Sequence, residues 1–128
     1  MPEPEKITIN MSPVDLGKID LLVQEGLYSN RTDFIRTAIR NLLDKHNIEI
    51  QQSVTRHSYT IGALVYDKSD FEKYKAKGEK INITVVGFLH LANDIPPDLA
   101  RDVIESIQVR GAFHASEVLK SALADRIR

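Results

Sequence analysis

The fold of this chain is decided by residues 5–46, EKITINMSPVDLGKIDLLVQEGLYSNRTDFIRTAIRNLLDKH. The segment opens with alternating polar and apolar side chains from Lys6 to Met11. Such alternation predicts a strand with one buried face, because successive side chains of a strand point to opposite sides. The apolar face holds Ile7, Ile9 and Met11, and the polar face holds Lys6, Thr8 and Asn10.

Two amphipathic helices are predicted after the strand. Ser12 supplies an oxygen for first-turn amides, Pro13 suits the first helical position, and Gly26 ends the first helix. Ser29 or Asn30 caps the second helix, and Asn30 with Asp33 has capping-box spacing. The second helix carries a broad apolar stripe made of Phe34, Ile35, Ala38, Ile39, Leu42 and Leu43.

A single strand with two short helices cannot bury this much apolar surface within one chain. A two-fold homodimer solves the problem, since two strands form an antiparallel ribbon and four helices pack beneath it. The predicted dimer core consists of Ile7, Ile9, Phe34, Ile35, Ala38, Ile39 and Leu42.

The order of strand, capped helix, glycine turn and Ser/Asn-capped helix resembles the ribbon-helix-helix regulators of the CopG, Arc and MetJ type. The resemblance covers residues 5–46 and implies a β-ribbon that enters the major groove of double-stranded DNA. It implies base contacts by Lys6, Thr8 and Asn10, whose side chains can all hydrogen-bond to base edges. It implies phosphate contacts by Ser29, Asn30 and Arg31 at a helix amino end. The alternative interpretation is a solvated strand face and an ordinary helix cap.

Composition limits the function classes. The chain has 128 residues, of which 42% are hydrophobic, so it suits one globular domain or two small ones. It has no cysteine, which excludes thiolate metal sites and is compatible with a cytoplasmic location. Neither a signal peptide nor a membrane span is expected. The formal net charge of −1 indicates that DNA binding depends on local groups and not on general basicity.

The sequence predicts two domains joined by a linker. Residues 1–46 are interpreted as the DNA-binding and dimerisation domain, and residues 47–57 as a linker that lacks helical periodicity, with a strand beginning near Val54. Residues 58–128 form the second domain.

The second domain contains a weak internal repeat. Its three similar segments are aligned on Gly62, Gly87 and Gly111. Each segment predicts a strand followed by a helix. The strands are predicted at 58–66, 81–91 and 106–115, and the helices near Ser69, Ile95 and Ser116, with Ser69, Asp94 and Ser116 as candidate caps.

This alternation predicts parallel strands with helices on one side of a small sheet. The expected inner core consists of Leu64, Ile83, Val85, Leu89, Ile107, Val109 and Phe113, facing Phe71, Leu99, Val103, Leu119 and Leu123. The glycines share this inner face, where the missing side chain would let a helix approach. The opposite face carries Ile61, Val86 and Phe88. We expect it to be an oligomerisation face or to lie under the linker strand, because parallel sheets are usually covered on both sides.

The predicted function is sequence-specific transcriptional regulation, as a repressor that binds operator half-sites as a homodimer or a higher oligomer such as a tetramer. Two alternatives are an antitoxin of a toxin–antitoxin pair and a protein that organises plasmid or chromosomal DNA. No catalytic motif is present, so neither an enzyme nor a cofactor is expected.

A third alternative is a metal-responsive regulator, because RHSYTIGALVYD, residues 56–67, resembles the opening of the second domain of nickel-responsive regulators. The four histidines, His46, His57, His90 and His114, lack close metal-ligand spacing. No metal site is therefore predicted, although His90 and His114 occupy matching positions and are expected to lie side by side.

Overall fold

The computed structural model describes residues 4–128. These residues form two compact units, Glu5–Ser53 and a second unit built on Val54–Arg128. The division falls inside the segment that the sequence predicts as a linker.

The N-terminal unit contains the two predicted helices, and their caps explain where they begin. α1 spans Pro13–Gln24, and the Ser12 Oγ accepts a hydrogen bond from the Asp15 amide at 3.1 Å. α2 spans Arg31–Lys45, and the Asn30 Oδ1 accepts from the Asp33 amide at 2.8 Å. Gly26, at φ +84°, lies in the turn after α1, where its left-handed conformation suits glycine. The predicted Ser12 and Asn30 caps are confirmed.

The predicted strand at Lys6–Met11 is not formed within the single chain. Residues 5–12 belong to neither a helix nor a strand, and Ile7 and Ile9 are 72% and 57% exposed. The physical reason is that a strand exists only where a neighbouring strand accepts and donates its backbone hydrogen bonds. The strand therefore stays a prediction that requires a second copy of the chain.

The segment expected to lack helical structure is instead a helix. α3 spans Asn47–His57 and follows α2 after the single residue His46. The predicted strand near Val54 is therefore wrong, and no linker strand is available to cover the sheet. Ile50 and Val54 are one helical turn apart, which gives α3 one weakly apolar side.

The C-terminal unit alternates strands and helices. Its elements are β1 at Thr60–Tyr66, α4 at Lys68–Ala76, β2 at Ile81–Leu91, α5 at Pro97–Val103, β3 at Ile104–His114 and α6 at Glu117–Ala122, before a 3₁₀ turn at Ala124–Arg126. The sheet has the order β1-β2-β3, and both pairings are parallel. The three strands and their parallel arrangement confirm the prediction, although β3 begins directly after α5, earlier than expected.

The helix caps in this unit differ in part from those predicted. Asp67, not Ser69, caps α4 in a reciprocal capping box with Asp70. α5 follows Pro96 without a side-chain cap, and the Asp94 carboxylate accepts from the Lys68 amide at 3.2 Å instead. Only the Ser116 cap is confirmed, with its Oγ accepting from the Leu119 amide at 3.2 Å.

The core lies between the sheet and its helices, on the inner face that the alternation predicts. The predicted core residues that are fully packed are Phe71, Ile83, Val85, Leu89, Leu99, Val103, Ile107, Leu119 and Leu123. Leu64, Val109 and Phe113, which belong to the two edge strands, are only partly buried.

The three glycines are in register across the sheet, but the reason predicted for them is wrong. Gly62 pairs with Gly87, and Gly87 with Gly111. A Cβ on Gly87 would lie 2.2 Å from the Gly62 carbonyl oxygen, and a Cβ on Gly111 would lie 2.1 Å from that of Gly87. The close neighbour is therefore the backbone of the adjacent strand, not a helix.

Gly87→Ala is therefore expected to lower the free energy of unfolding by at least about 2 kcal/mol, because the new methyl group overlaps a carbonyl and φ is +138°. Gly78→Ala is the matched control, since Gly78 also has a positive φ, of +68°, but no atom near its Cβ position. It should cost only about 1 kcal/mol. Urea denaturation followed by circular dichroism measures both, and equal losses would contradict the role assigned to the carbonyl contact.

Candidate nucleic-acid interface

The three residues predicted to read bases lie in the N-terminal segment before α1. Lys6, Thr8 and Asn10 are exposed, but so are Ile7 and Ile9, which alternate with them. Within one chain, both faces of this segment are therefore in contact with solvent. The single chain does not form a ribbon, and the base contacts of these three residues stay a prediction.

The three residues predicted to contact phosphate lie at the start of α2. The Ser29 amide donates to the Asp33 Oδ2 at 2.9 Å, and the Asn30 side chain caps the Asp33 amide. These groups already have partners within the chain. The amides of Arg31 and Thr32 belong to the first turn, where no helical carbonyl is available to accept from them. Together with the positive end of the helix dipole, they are the groups best suited to a phosphate oxygen.

The Arg31 side chain forms a bidentate ion pair with Asp20 of α1. Its Nε and one terminal nitrogen each lie 2.8 Å from a carboxylate oxygen of Asp20. The hydrogen bond with Arg31 lowers the pKa of Asp20, and the same hydrogen bond raises the pKa of Arg31. The guanidinium charge beside the predicted phosphate site is thus largely balanced. The sequence did not indicate this partner, because no local pattern relates residues eleven positions apart on different helices.

The N-terminal unit buries very little of its apolar surface. Of the large hydrophobic side chains described between residues 5 and 53, Ile19 is the buried one, at 4% exposure. In the predicted dimer core, Phe34 and Ile35 are half-buried, and Ala38, Ile39 and Leu42 are exposed. The aromatic rings of Tyr28 and Phe34 pack edge to face at 5.0 Å, close to the turn between α1 and α2.

The predicted oligomerisation face belongs to the C-terminal unit. Ile61 and Val86 are register partners on adjacent strands, and Phe88 follows two residues later on the same side of β2. Ile61 is 55% exposed, while Val86 and Phe88 are half-buried. The sheet therefore brings these three side chains together.

His90 and His114 are neighbours on β2 and β3, as their matching positions predicted. The Phe88 ring lies 5.0 Å from the His114 ring and 6.3 Å from the His90 ring, measured between centroids. Within residues 4–128, no group of three or more histidine, aspartate or glutamate side chains is arranged to hold a metal ion. No helix in the same range has both the length and the apolar character needed to cross a membrane.

The sequence of this chain is similar to those of known transcriptional regulators. The transcriptional regulator CdrS of Halobacterium salinarum is 29% identical over 42 residues, which cover 33% of this chain and 76% of that protein. No solved structure matches the chain significantly. Residues 2–120 match the model of the ribbon-helix-helix transcriptional regulator family, so the match includes most of the C-terminal unit as well as the two capped helices. The chain belongs to the ribbon-helix-helix transcriptional regulator family, a family of DNA-binding regulators.

Proposed function

We propose that this chain is a repressor that binds operator half-sites as a homodimer, through a β-ribbon formed by Lys6–Met11 of two copies. The observation that carries the proposal is the nearly coreless N-terminal unit. Its large exposed hydrophobic side chains are Ile7, Ile9, Val14, Leu21, Leu27, Ile39, Leu42, Leu43 and Ile48. Burying one such side chain contributes about 1.5–3 kcal/mol, so a second copy has a large stabilising effect available.

Pairing of the N-terminal segments of two copies accounts for the alternation of polar and apolar residues in each. When Ile7 and Ile9 turn towards the helices of the dimer, Lys6, Thr8 and Asn10 point away from them. A two-stranded ribbon fits the major groove, where these side chains meet base edges. The ribbon also satisfies the backbone groups that a single chain leaves to solvent.

Phosphate binding on this proposal depends on backbone amides more than on side-chain charge. Asp20 competes for the Arg31 guanidinium, and the whole chain has a formal net charge of −1. Non-specific attraction to DNA is therefore weak, and base contacts contribute a large share of the affinity for an operator. This suits a repressor that has to distinguish a small number of sites.

Among the alternatives, an antitoxin is disfavoured, because such proteins usually follow the DNA-binding module with a tail that folds on its toxin. The C-terminal unit here has a buried core of its own. A metal-responsive regulator needs more ligands than the neighbouring pair His90 and His114 supplies within one chain.

Asn10→Ala is expected to weaken binding to the preferred operator by about 1–3 kcal/mol, because an amide side chain can pair bidentately with adenine. Affinity for random DNA of the same length should change little. The operator is obtained first by selection from a random pool, and both affinities are then measured by fluorescence anisotropy. Equal losses on the two DNAs, or no loss on either, would show that Asn10 does not read bases.

Asp20→Asn serves as the matched control, because it releases Arg31 without altering the ribbon. Binding to operator and random DNA should strengthen together, and the salt dependence should steepen as Arg31 becomes available to a phosphate. Arg31→Ala should flatten the salt dependence of binding, because it leaves the Asp20 carboxylate without a balancing cation beside the phosphate site. A change confined to the operator would contradict a sequence-independent role for this pair.

Ile39→Asp is expected to unfold the N-terminal unit and not to yield a folded monomer, because it places an unpaired charge in the shared core. Asn41→Asp adds the same charge at an exposed position of α2 and should leave the dimer intact. Sedimentation velocity and circular dichroism report mass and helix content together. A well-folded monomeric Ile39→Asp variant would overturn the shared-core dimer.

We also propose that the face of Ile61, Val86 and Phe88 joins DNA-binding dimers, since exposed apolar patches usually mark association sites. Phe88→Glu should leave a dimer that still binds DNA but no longer occupies adjacent half-sites cooperatively. Gln108→Glu places the same charge on this side of the sheet, away from Phe88, and should preserve assembly. Light scattering compares the wild type with both variants. A strict wild-type dimer at micromolar concentration, with and without operator, would refute the role of this face, and so would a Phe88→Glu variant that assembles as the wild type does.

A further inference from the structure

We propose that the sheet of the C-terminal unit continues from one copy of the chain to the next, with β1 of one copy lying parallel to β3 of another and Gly62 beside Gly111. The partner is a second copy of this chain, and the contact is made edge to edge, not through the outer face. It does not depend on the proposed mode of DNA binding.

The first observation is that both edges of the sheet are open to pairing. Among the described residues, β1 and β3 each pair with β2 along their length, so the outer backbone edge of each strand faces away from the sheet. Proteins usually protect such edges with charged residues or proline. β1 has the sequence TIGALVY, which contains neither, and Ile61 and Val65 are 55% and 61% exposed.

The second observation concerns the position of residues 126–128 at the β3 edge. Ile127 forms a parallel bridge with Ile107, and the Arg128 amide donates to the Ile107 carbonyl at 2.7 Å. The Arg126 guanidinium holds this segment in place by donating to the carbonyls of Arg101 and Ile104. The bridge covers only the start of β3.

The two open edges match in length and register. With Gly62 beside Gly111, Thr60 lies beside Val109 and Val65 beside His114, the last residue of β3. The incoming β1 therefore begins just beyond the bridge at Ile107 and does not compete with it. This register repeats the one that joins Gly62 to Gly87 and Gly87 to Gly111 within the chain.

The third observation concerns the apolar row that holds Leu64, Leu89 and Phe113. Leu89, in the central strand, has a neighbour on each side and is completely buried. Leu64 and Phe113 lie at the two ends of the row and are only partly buried. In the proposed contact, Phe113 of one copy packs beside Leu64 of the next, as each packs beside Leu89 within its own chain.

The glycine row supports the same register. Gly62 has φ +139°, close to the +138° of Gly87. For Gly87, the carbonyl of the preceding strand leaves no space for a Cβ, but no atom lies within 4 Å of the Cβ position of Gly62. In the proposed contact, the Gly111 carbonyl of the other copy occupies that space. An antiparallel pairing of two β1 strands would not reproduce this arrangement.

Cysteine cross-linking tests the register directly, because the natural chain has no cysteine. Ala63 and Ala112 become neighbours across the proposed contact, so full-length Ala63→Cys mixed with full-length Ala112→Cys should give disulfide-linked dimers under mild oxidation. Within one chain β2 separates the two positions by about 10 Å, which is too far for a disulfide. Both cysteines in one chain should therefore give a ladder of covalent oligomers.

Each single variant alone should stay unlinked, and so should Ala63→Cys mixed with Gln108→Cys, which lies out of register. Links in Ala63→Cys alone would show a different contact, either antiparallel pairing of two β1 strands or packing of two outer faces, and would overturn the proposed register. Absence of links in the matched mixture, with circular dichroism showing folded protein, would also overturn it. The oxidation is carried out without DNA, so a failed operator assay and a failed cross-link are separate results.

Discussion

A β-strand cannot satisfy its own backbone hydrogen bonds, and this constraint governs both units of the protein. In the N-terminal unit, the alternating segment Lys6–Met11 has no partner strand among residues 4–128 and is not a strand there. In the C-terminal unit, three parallel strands satisfy one another except along two edges. On both proposals, another copy of the chain supplies the missing hydrogen-bond partner.

The elements that the sequence predicted well are those whose signals are local. Ser12, Asn30 and Ser116 were identified as caps because their hydrogen bonds reach only three residues along the chain. The strands of the C-terminal unit were identified because Gly62, Gly87 and Gly111 align three similar segments. The inner core was predicted from the alternation of side chains along each strand alone, since every second side chain of a strand points to the same face of the sheet.

The elements that were missed depend on competition between signals or on distant contacts. α3 has few apolar residues, so the helical period was too weak to recognise over Asn47–His57. Ser69 appeared to be the cap of α4, but Asp67 lies earlier and forms the reciprocal pair with Asp70. The Asp20–Arg31 ion pair and the contacts between glycine backbones exist only once helices and strands are packed together. The site residues Lys6, Thr8 and Asn10 were placed by resemblance, and a single chain does not bring them together.

The balance of charges gives the proposed association between copies a physical role. A regulator with a formal net charge of −1, whose Arg31 is already paired with Asp20, gains little from general attraction to DNA. Linking several binding modules raises the effective concentration of each next module at its site, without any new contact to DNA. On this proposal, the C-terminal sheet provides that link. Head-to-tail contacts between edges generate rings or open arrays rather than closed pairs. The ribbon and the sheet then have separate roles on these proposals. The ribbon determines which sequence is bound, and the sheet, through its edges and the face of Ile61, Val86 and Phe88, determines how many neighbouring sites are occupied together.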